Sequence, residues 1–197
     1  MQEVILLKYG ELILKGLNRP QFEHKLLKRI RNTLRSCGTF TVTQAQSTVY
    51  VEPQDADAPI DDAIRRLQKV FGIVSLVRAC VVEKDMDAIE AAVVPYLRDE
   101  IEQAKTFRVN AKRADKRFPL PSPEIARRVA ERVGDAFPDL QADMHAPELT
   151  ITVEIRDTAA YIHANSLPGA GGMPSGSCGR AAVLISGGID SPVAAYM

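Results

Sequence analysis

Hydrophobic positions recur with two different periods over the first 82 residues of the chain. Residues 20–36 and 59–70 carry apolar side chains three and four positions apart, which is typical of amphipathic helices. Residues 40–43 and 48–51 alternate apolar and polar positions across a short turn, which predicts a β-hairpin. Two apolar runs predict buried strands, at residues 4–9 and 73–82. The resulting order, β-α-β-β-α-β, is that of a ferredoxin-like fold.

The stretch from residue 85 to residue 164 mixes the same two periods in a different order. Residues 85–103 have apolar side chains four positions apart and predict one acidic helix. Residues 106–112 alternate strictly and predict a strand with one buried face. Ser122 and Pro123 predict the start of another helix, because Ser is a good N-cap and Pro suits the first helical position. An antiparallel hairpin is predicted at residues 149–155 and 159–164.

Glycine and proline mark the breaks between these stretches. Gly10 and Gly16 bracket a predicted loop. Residues 166–180 hold five glycines and two prolines without apolar periodicity, which predicts a linker. We therefore divide the chain into four parts: a ferredoxin-like domain at 1–80, an α/β domain at 81–165, the linker at 166–180 and a last segment at 181–197.

The last segment combines an apolar run with a loop of small residues. Residues 181–185 are apolar without alternation and predict a strand buried on both faces, and Asp190, Ser191 and Pro192 predict a helix start. A strand, a glycine loop and a helix start together form an anion site, because free amides and the positive helix end point at a phosphate. The spacing fits neither a Walker A loop nor a dinucleotide fingerprint, and Gly-Gly-x-Asp-Ser also occurs by chance in ordinary turns.

Charge is balanced overall but concentrated locally. The net charge is zero, and 46% apolar and 25% charged residues are ordinary for a globular protein. Residues 15–35 contain seven basic residues and one acidic residue, and residues 105–132 contain nine and three. Two basic segments in a neutral protein indicate a surface for a polyanion, although charge alone favours the alternative that both are solvated helix faces.

Cysteine usage and the absence of a long apolar run indicate a cytoplasmic protein. No stretch approaches the ~20 apolar residues of a membrane span, and no basic region precedes residues 4–7 as in a signal peptide. Cys37, Cys80 and Cys178 are far apart and odd in number, which argues against a disulfide framework or a zinc site. We interpret Cys37 and Cys80 as packing residues and Cys178 as an exposed loop residue, with a nucleophile as its less favoured alternative.

Five dispersed segments resemble, in order and spacing, those of the ThiI family of tRNA 4-thiouridine synthetases (tRNA sulfurtransferases). They are residues 10–16, 112–119, 153–156, 171–174 and 186–194. The resemblance covers essentially the whole chain. It implies a ferredoxin-like domain, a THUMP α/β domain that binds the tRNA acceptor region and whose start can also be placed near residue 61, and then a PP-loop ATP pyrophosphatase domain. Of that last domain the sequence contains only the first strand and helix start.

The resemblance also implies a reaction. ATP, with Mg²⁺, adenylates the uridine at position eight of tRNA, and sulfur from an enzyme persulfide replaces the adenylate to give 4-thiouridine. A cysteine desulfurase supplies the sulfur, and in many members the same relay serves thiamine thiazole synthesis. No membrane partner is implied, and a homodimer is one of the states that the sequence leaves open.

The family motifs assign candidate binding residues at two places. The PP-loop residues implied to bind ATP are Leu184, Ile185, Ser186, Gly187, Gly188, Asp190 and Ser191. The basic residues expected to bind tRNA are Lys15, Lys112, Arg113, Lys116, Arg117, Arg127 and Arg128. Phe118 could stack on a base, but core packing is the favoured interpretation. No metal ligand is assigned.

The family's sulfur-handling cysteines do not correspond to any cysteine of this sequence, so no catalytic residue is assigned. We expect the 197-residue chain to bind tRNA without catalysing thiolation. Two other functions remain open: a THUMP module of the kind that accompanies methyltransferases and pseudouridine synthases, and a PP-loop amidotransferase or ligase acting on a small molecule. Residues 186–191 weigh against the first, and the basic segments weigh against the second.

Overall fold

A computed structural model describes residues 1–45, 47–55, 57–177, 179 and 182–196. Its first part has the predicted order of strands and helices. The four strands form an antiparallel sheet in the order β2-β3-β1-β4, which confirms the ferredoxin-like arrangement. The elements are β1 (Glu3–Lys8), α1 (Arg19–Leu34), β2 (Phe40–Ala45), β3 (Thr48–Pro53), α2 (Ile60–Leu67) and β4 (Ser75–Val82).

The second part extends the same sheet. Strand β8 pairs antiparallel with β4 and with β7, and β5 runs parallel to β7 and to the short β6. Its elements are α3 (Met86–Tyr96), α4 (Arg98–Gln103), β5 (Thr106–Arg113), α5 (Ser122–Ala136), β6 (Gln141–Ala142), β7 (Leu149–Ile155) and β8 (Ala160–His163). The two parts therefore share one sheet, ordered β2-β3-β1-β4-β8-β7-β5-β6, with β4 at the junction.

The helices cover one face of this sheet. On β4, Leu76 packs in the core under α1 and α2, while Cys80 packs in the core under α3 and α5. Residues four apart on a strand point to the same side, so both helical layers lie on one face. The opposite face of the sheet does not carry these helical layers, and we call it the open face. It carries Val4, Leu6 and Ala79, and these side chains are nevertheless buried.

The open face is buried because the sheet curls onto itself. Strands β1 and β7 are separated by two strands, which in a flat sheet would place them about 14 Å apart. Nevertheless Lys8 Nζ on β1 donates to Glu154 Oε1 on β7 at 2.7 Å, and the rings of Tyr50 and Tyr161 lie 5.6 Å apart. The open faces of the two parts are thus in direct contact.

Two predicted elements differ in detail. The predicted loop at residues 10–16 is a 3₁₀ helix, Glu11–Asn18, interrupted at Gly16, whose φ of 50° suits a glycine. The predicted helix at residues 85–103 is broken at Leu97 into α3 and α4. Pro95 lies just before the break, and proline lacks the N–H that would continue the helical hydrogen bonds.

The predicted linker is attached to the first part over most of its length. Residues 167–177, which we call the strap, begin with β9 (Leu167–Pro168), which pairs with the first residues of β4. Gly169 N donates to Val74 O at 2.9 Å, and Gly171 N donates to Ile73 O at 2.7 Å. Glycine is needed here, because a Cβ on Gly169 would stand 2.3 Å from Ile73 O. The domain boundary placed in this segment stays a prediction.

The buried strand predicted at residues 181–185 is wrong for residues 182–185, and residue 181 lies outside the described residues. Leu184 and Ile185 are 95% and 71% exposed, and neither lies in a strand. A strand needs a hydrogen-bonding neighbour and an apolar cover, and this segment has neither among the described residues. The predicted helix follows as α6 (Asp190–Tyr196). No helix in the described part of the chain is long and apolar enough to cross a membrane.

Candidate RNA-binding surface and nucleotide loop

A buried carboxylate shapes the basic loop, residues 112–119, between β5 and α5. Asp115 is 5% exposed and accepts hydrogen bonds from Lys84 Nζ at 2.7 Å and from the backbone and guanidinium of Arg117 at 2.9 and 3.0 Å. These hydrogen bonds, from Arg117 first and Lys84 next, hold the pKa of Asp115 well below its usual range. Asp115 is therefore ionised at neutral pH and neutralises part of the loop's positive charge.

Two residues of the basic loop point inwards. Phe118 is buried in the core with α3 and α5, which confirms core packing as its role. Arg113 donates through Nη1 to the carbonyl oxygens of Phe118 and Leu120 at 3.0 and 3.1 Å. Arg113 therefore stabilises the conformation of the loop, and fewer of its N–H groups remain to donate to a ligand.

Two lysines of the basic loop are presented to solvent. Lys116 is exposed, and no side-chain partner for it is found among the described residues. The side chain of Lys112 is 61% exposed, with Nζ 3.7 Å from Glu154 Oε1. Burial of its stem, followed by the charge of nearby Lys8, lowers the pKa of Lys112, and an anion beside both ammonium groups would relieve their repulsion.

The arginines predicted on α5 are held in ion pairs. Arg127 pairs with Glu124 at 2.5 Å and with Glu131, both on its own helix. Arg128 pairs with Glu90 of α3 at 2.6 Å. Their charge is locally neutralised, so α5 offers less attraction for a polyanion than its arginines alone predict.

Lys15, the remaining predicted tRNA residue, lies elsewhere on the molecule. It is exposed in the 3₁₀ helix after β1, and its Nζ lies 5.9 Å from the centre of the Phe22 ring. No contact between Lys15 and the basic loop is found in the described residues. Among the described residues, the predicted cations with no carboxylate within 3.5 Å are Lys15, Lys112, Arg113 and Lys116, and of these Arg113 is already bound to backbone carbonyls.

Sequence reasoning missed the most buried charged group of the open face. Glu154 on β7 is 1% exposed and accepts hydrogen bonds from Lys8 Nζ at 2.7 Å and Arg156 Nη2 at 2.5 Å. Lys112 Nζ and His163 Nε2 complete the Glu154 cluster at 3.7 and 3.6 Å. The sequence does place a charged residue, Glu154, between two apolar residues, and this could have indicated a buried carboxylate. Its partners Lys8, Lys112 and His163 could not be found in this way, because they come from three other places in the chain.

The Glu154 cluster has a strong electrostatic effect on its own carboxylate. Burial alone would raise the pKa of Glu154, but the neighbouring His163, Lys8 and Arg156 outweigh it and hold the pKa below its usual range. Arg156 also donates to Thr48 Oγ1 at 3.2 Å, so the cluster connects β7 with both β1 and β3. The cluster therefore fixes the curled arrangement of the two parts.

A polar cavity of about 500 Å³ lies beside the Glu154 cluster. Its lining residues include Lys8, Lys112, Thr152, His163 and Asn165. His163 is 5% exposed, and its Nε2 has no hydrogen-bond partner among the described residues. Lys8 and Lys112 line the cavity, and the neighbouring carboxylate of Glu154 also pairs with Arg156, so the cavity carries net positive charge and suits an anionic or polar ligand.

The nucleotide loop, residues 186–191, is folded into a compact turn. Ser186 N donates to Ser191 Oγ at 2.9 Å, and Gly188 N contacts Ser186 Oγ at 3.3 Å. The two serine hydroxyls lie 3.1 Å apart. Asp190 begins α6, and no heavy atom lies within 4 Å of where a Cβ on Gly187 would stand. The loop thus brings together Ser186, Gly187, Gly188, Asp190 and Ser191, with Leu184 and Ile185 just before them.

The free cysteines that the structure describes are Cys37 and Cys80, and both are buried. Burial raises the pKa of both thiols, which agrees with their interpretation as packing residues. Cys178 lies outside the described residues. In the described part of the chain no group of three or more His, Cys, Asp or Glu side chains could hold a metal ion.

Three family models match successive parts of the chain. The ThiI ferredoxin-like domain matches residues 4–77, and the THUMP domain matches residues 83–165. The model described as thiamine biosynthesis protein (ThiI) matches residues 176–197. The first two matches cover the two parts of the curled sheet, and the third covers the nucleotide loop.

Similar proteins match this chain over its whole length. A probable tRNA sulfurtransferase of Acetivibrio thermocellus is 42% identical over 199 residues, covering 100% of this chain and 50% of that protein. One from Caldanaerobacter subterraneus subsp. tengcongensis is 44% identical over 197 residues, again covering 100% and 50%. The chain thus spans about half the length of the curated relatives it matches.

A solved structure agrees with these matches. The crystal structure of a 4-thiouridine synthetase–RNA complex with bound ATP superposes with a TM-score of 0.83 and 29% identity, covering 99% of this chain and 49% of that one. The shared domain order, the sequence identity and the superposition lead to one conclusion: the chain belongs to the ThiI family.

Proposed function

We propose that this chain is the tRNA-binding part of an ATP-dependent tRNA sulfurtransferase. The observation that carries the proposal is the superposition of 99% of the chain on a 4-thiouridine synthetase that was crystallised with RNA and ATP. In the whole protein, ATP adenylates the uridine at position eight of tRNA. Persulfide sulfur then replaces the adenylate to give 4-thiouridine.

The tRNA acceptor region binds, in this proposal, around the basic loop. Lys112 and Lys116 neutralise backbone phosphates, and the cavity beside Glu154 accepts a polar or phosphate group of the same RNA. Arg113, Arg117, Arg127 and Arg128 act mainly by holding the loop and α5 in place, since each donates hydrogen bonds within the protein. Lys15 contacts a more distant part of the tRNA. Recognition led by phosphates and shape is typical of RNA helices.

The nucleotide loop would bind the phosphates of ATP in the whole protein. The hydroxyls of Ser186 and Ser191 accept hydrogen bonds from backbone amides of the loop, and these amides would donate to a phosphate when one is bound. Gly187 and Gly188 leave room for the phosphate to approach the backbone closely. Leu184 and Ile185 would lie against the nucleotide. Mg²⁺ would accompany the phosphates of ATP and neutralise charge there.

The wider context of the proposal follows from the family. A cysteine desulfurase supplies the sulfur, the same relay serves thiamine thiazole synthesis, and the protein works in the cytoplasm and can form a homodimer. These statements rest on membership of the ThiI family and on the domain order.

The RNA-binding part of the proposal is tested with a double variant, Lys112→Gln with Lys116→Gln. Each substitution removes one cation that the described residues do not neutralise closely. We expect the affinity for tRNA, measured by filter binding, to fall about tenfold or more, since each lost phosphate contact weakens binding.

The matched control is Lys69→Gln with Lys105→Gln, two exposed lysines that lie just after α2 and just after α4. It changes the net charge by the same amount and should leave binding within about twofold, because charges beyond a Debye length are screened. Equal losses in both variants would contradict a site at the basic loop.

A further inference from the structure

Buried polar atoms on the open face of the second part are available to a ligand. Among the described residues, the buried side-chain nitrogens without a hydrogen-bond partner are Arg108 Nε and His163 Nε2. Both side chains are on the open face, because their neighbours Phe107 and Ile162 pack in the core under the helices. Since buried polar atoms are normally hydrogen-bonded, two such atoms on one face indicate that this face suits a polar ligand.

His163 narrows the chemistry of that ligand. It is 5% exposed and lines the cavity beside the Glu154 cluster. Its Nδ1 lies 2.8 Å from Ala164 O, and because a carbonyl oxygen only accepts, Nδ1 carries the proton of this hydrogen bond. Nε2 lies 3.6 Å from Glu154 Oε1, which is too far for a hydrogen bond. Nε2 therefore remains for a ligand, either to accept from an acidic hydroxyl or, when the ring is protonated, to donate to an anion.

Two lysines place positive charge beside His163. Lys8 Nζ and Lys112 Nζ lie 2.7 and 3.7 Å from the same oxygen, Glu154 Oε1. An ammonium group has three donors, and Lys8 uses one of them on Glu154, so both lysines retain donors. Because all three nitrogens lie around one oxygen atom, a single anion can contact more than one of them.

The charge and size of the cavity favour an anion that carries a polar group. Burial and then the charge of Lys8 lower the pKa of Lys112, and a neutral ligand would leave the repulsion between the two ammonium groups in place. The volume of about 500 Å³ is larger than one phosphate needs, and the hydroxyls of Ser75, Thr150 and Thr152 line the rest of the cavity. A sugar attached to the anion would meet these hydroxyls.

We propose that Lys8, Lys112 and His163 form a binding site for a phosphate monoester on a hydroxylated group such as ribose. A monoester carries more negative charge than a phosphodiester, and its protonated form has a hydroxyl that can donate to His163 Nε2. Two sources present this group: a free sugar phosphate, and the 5′-terminal phosphate of an RNA strand. The RNA source rests on the proposed function, whereas the site itself does not.

The first test titrates the whole chain with inorganic phosphate in the absence of RNA. Calorimetry gives the Kd, and nitrogen NMR of the imidazole rings reports contact at His163, with the exposed His24 and His145 as internal references. Ribose 5-phosphate is the second probe, and sodium sulfate at equal ionic strength is the control. We expect phosphate to shift the His163 signals, ribose 5-phosphate to bind more tightly, and sulfate to bind more weakly because it has no proton to donate at neutral pH.

Variants of the site should weaken phosphate binding. His163→Gln and Lys112→Gln should each raise the Kd for inorganic phosphate about tenfold or more, because each removes a hydrogen bond to a charged group. The side chain of Lys112 is 61% exposed, so its variant keeps the test valid if His163→Gln does not fold. The matched control is Lys69→Gln, an exposed lysine just after α2, which should stay within about twofold. Circular dichroism checks the fold of each variant.

The source of the monoester is identified with one tRNA prepared with and without its 5′ phosphate. If RNA supplies the group, wild type binds the phosphorylated tRNA several-fold more tightly and His163→Gln loses the difference. Equal affinities for the two tRNAs, with ribose 5-phosphate bound, assign the site to a free sugar phosphate.

Three results would overturn the inference: no binding of either phosphate probe to wild type, equally tight binding of sulfate, or an unchanged Kd in both site variants. If wild type binds inorganic phosphate but no tRNA, the proposed function fails and the phosphate site stands.

Discussion

At the scale of single residues, Glu154 shows how one buried carboxylate can join distant parts of a chain. It accepts hydrogen bonds from Lys8 on β1 and from Arg156, which in turn reaches Thr48 on β3. A buried charge is costly unless it is paired and hydrogen-bonded, and here Lys8 and Arg156 meet that need. The cluster also leaves positive charge at the cavity, so the same residues contribute to the fold and to the proposed RNA site.

Replacing Glu154 by Gln should destabilise the protein by about 3–5 kcal/mol, because Lys8 and Arg156 would lose their buried partner. Urea unfolding at pH 7 measures this change. Glu102→Gln is the control, since Glu102 is half exposed in a surface pair with Arg98, and it should cost less than about 1 kcal/mol. Similar losses in the two variants would contradict a structural role of the cluster.

The same substitution should change the pH dependence of stability. The pKa of Glu154 is lowered in the folded state, so the unfolded chain takes up the proton first as the pH falls. Its contribution is complete above the unfolded pKa of about 4.3 and is lost progressively below it. The Gln variant should therefore show a smaller fall in unfolding free energy between pH 5 and pH 3 than wild type, while an equal fall would contradict the lowered pKa.

At the scale of elements, the strap shows that a glycine-rich segment can be firmly attached. Its amides at Gly169 and Gly171 pair with carbonyls of Val74 and Ile73, and Gly72 N pairs with Gly171 O at 2.7 Å. Pro174 is buried, and its ring would stand 3.1 Å from a Cβ on Gly72. The backbone of the strap lies so close to the backbone of residues 72–74 that a side chain at Gly169 would not fit. This close approach explains a glycine that the sequence pattern assigns to a linker.

A methyl group at Gly169 tests this packing. Gly169→Ala should destabilise the protein by about 1–3 kcal/mol, because the new Cβ would meet Ile73 O at 2.3 Å. Gly134→Ala in α5 is the control, since open space surrounds that position, and it should stabilise by about 0.5–1 kcal/mol. Hydrogen exchange should show faster loss of protection at the strap amides in the first variant alone, and unchanged protection would contradict an attached strap.

At the scale of the whole molecule, the local patterns were predictable and the closure of the sheet was not. The periods of residues 20–36 and 40–51 identify helix and hairpin because amphipathic side chains repeat locally. The contact between Lys8 and Glu154 joins residues 146 positions apart, and no local period reports such a distance. Likewise the charge count at Arg127 and Arg128 predicts an RNA surface, while their pairing with Glu124 and Glu90 depends on helix packing.

The family resemblance supplied what the patterns could not. Residues 186–191 indicate the nucleotide loop, and the structure folds them together, yet the apolar residues before them lie outside any strand. The PP-loop motif can be recognised from the residue types alone. A buried strand forms only where neighbouring strands are present to pair with it. The proposed function therefore depends on the binding of tRNA by the curled sheet and its cations.

The affinity of the chain for tRNA, measured as a function of salt, tests this binding directly. With several lysines contacting phosphates, we expect affinity to fall about 10–1,000-fold between 50 and 200 mM salt, along a straight line of log affinity against log salt. Unlabelled tRNA should compete fully, and a protein-free filter sets the background. Weak binding that does not change with salt would contradict phosphate contacts by these cations.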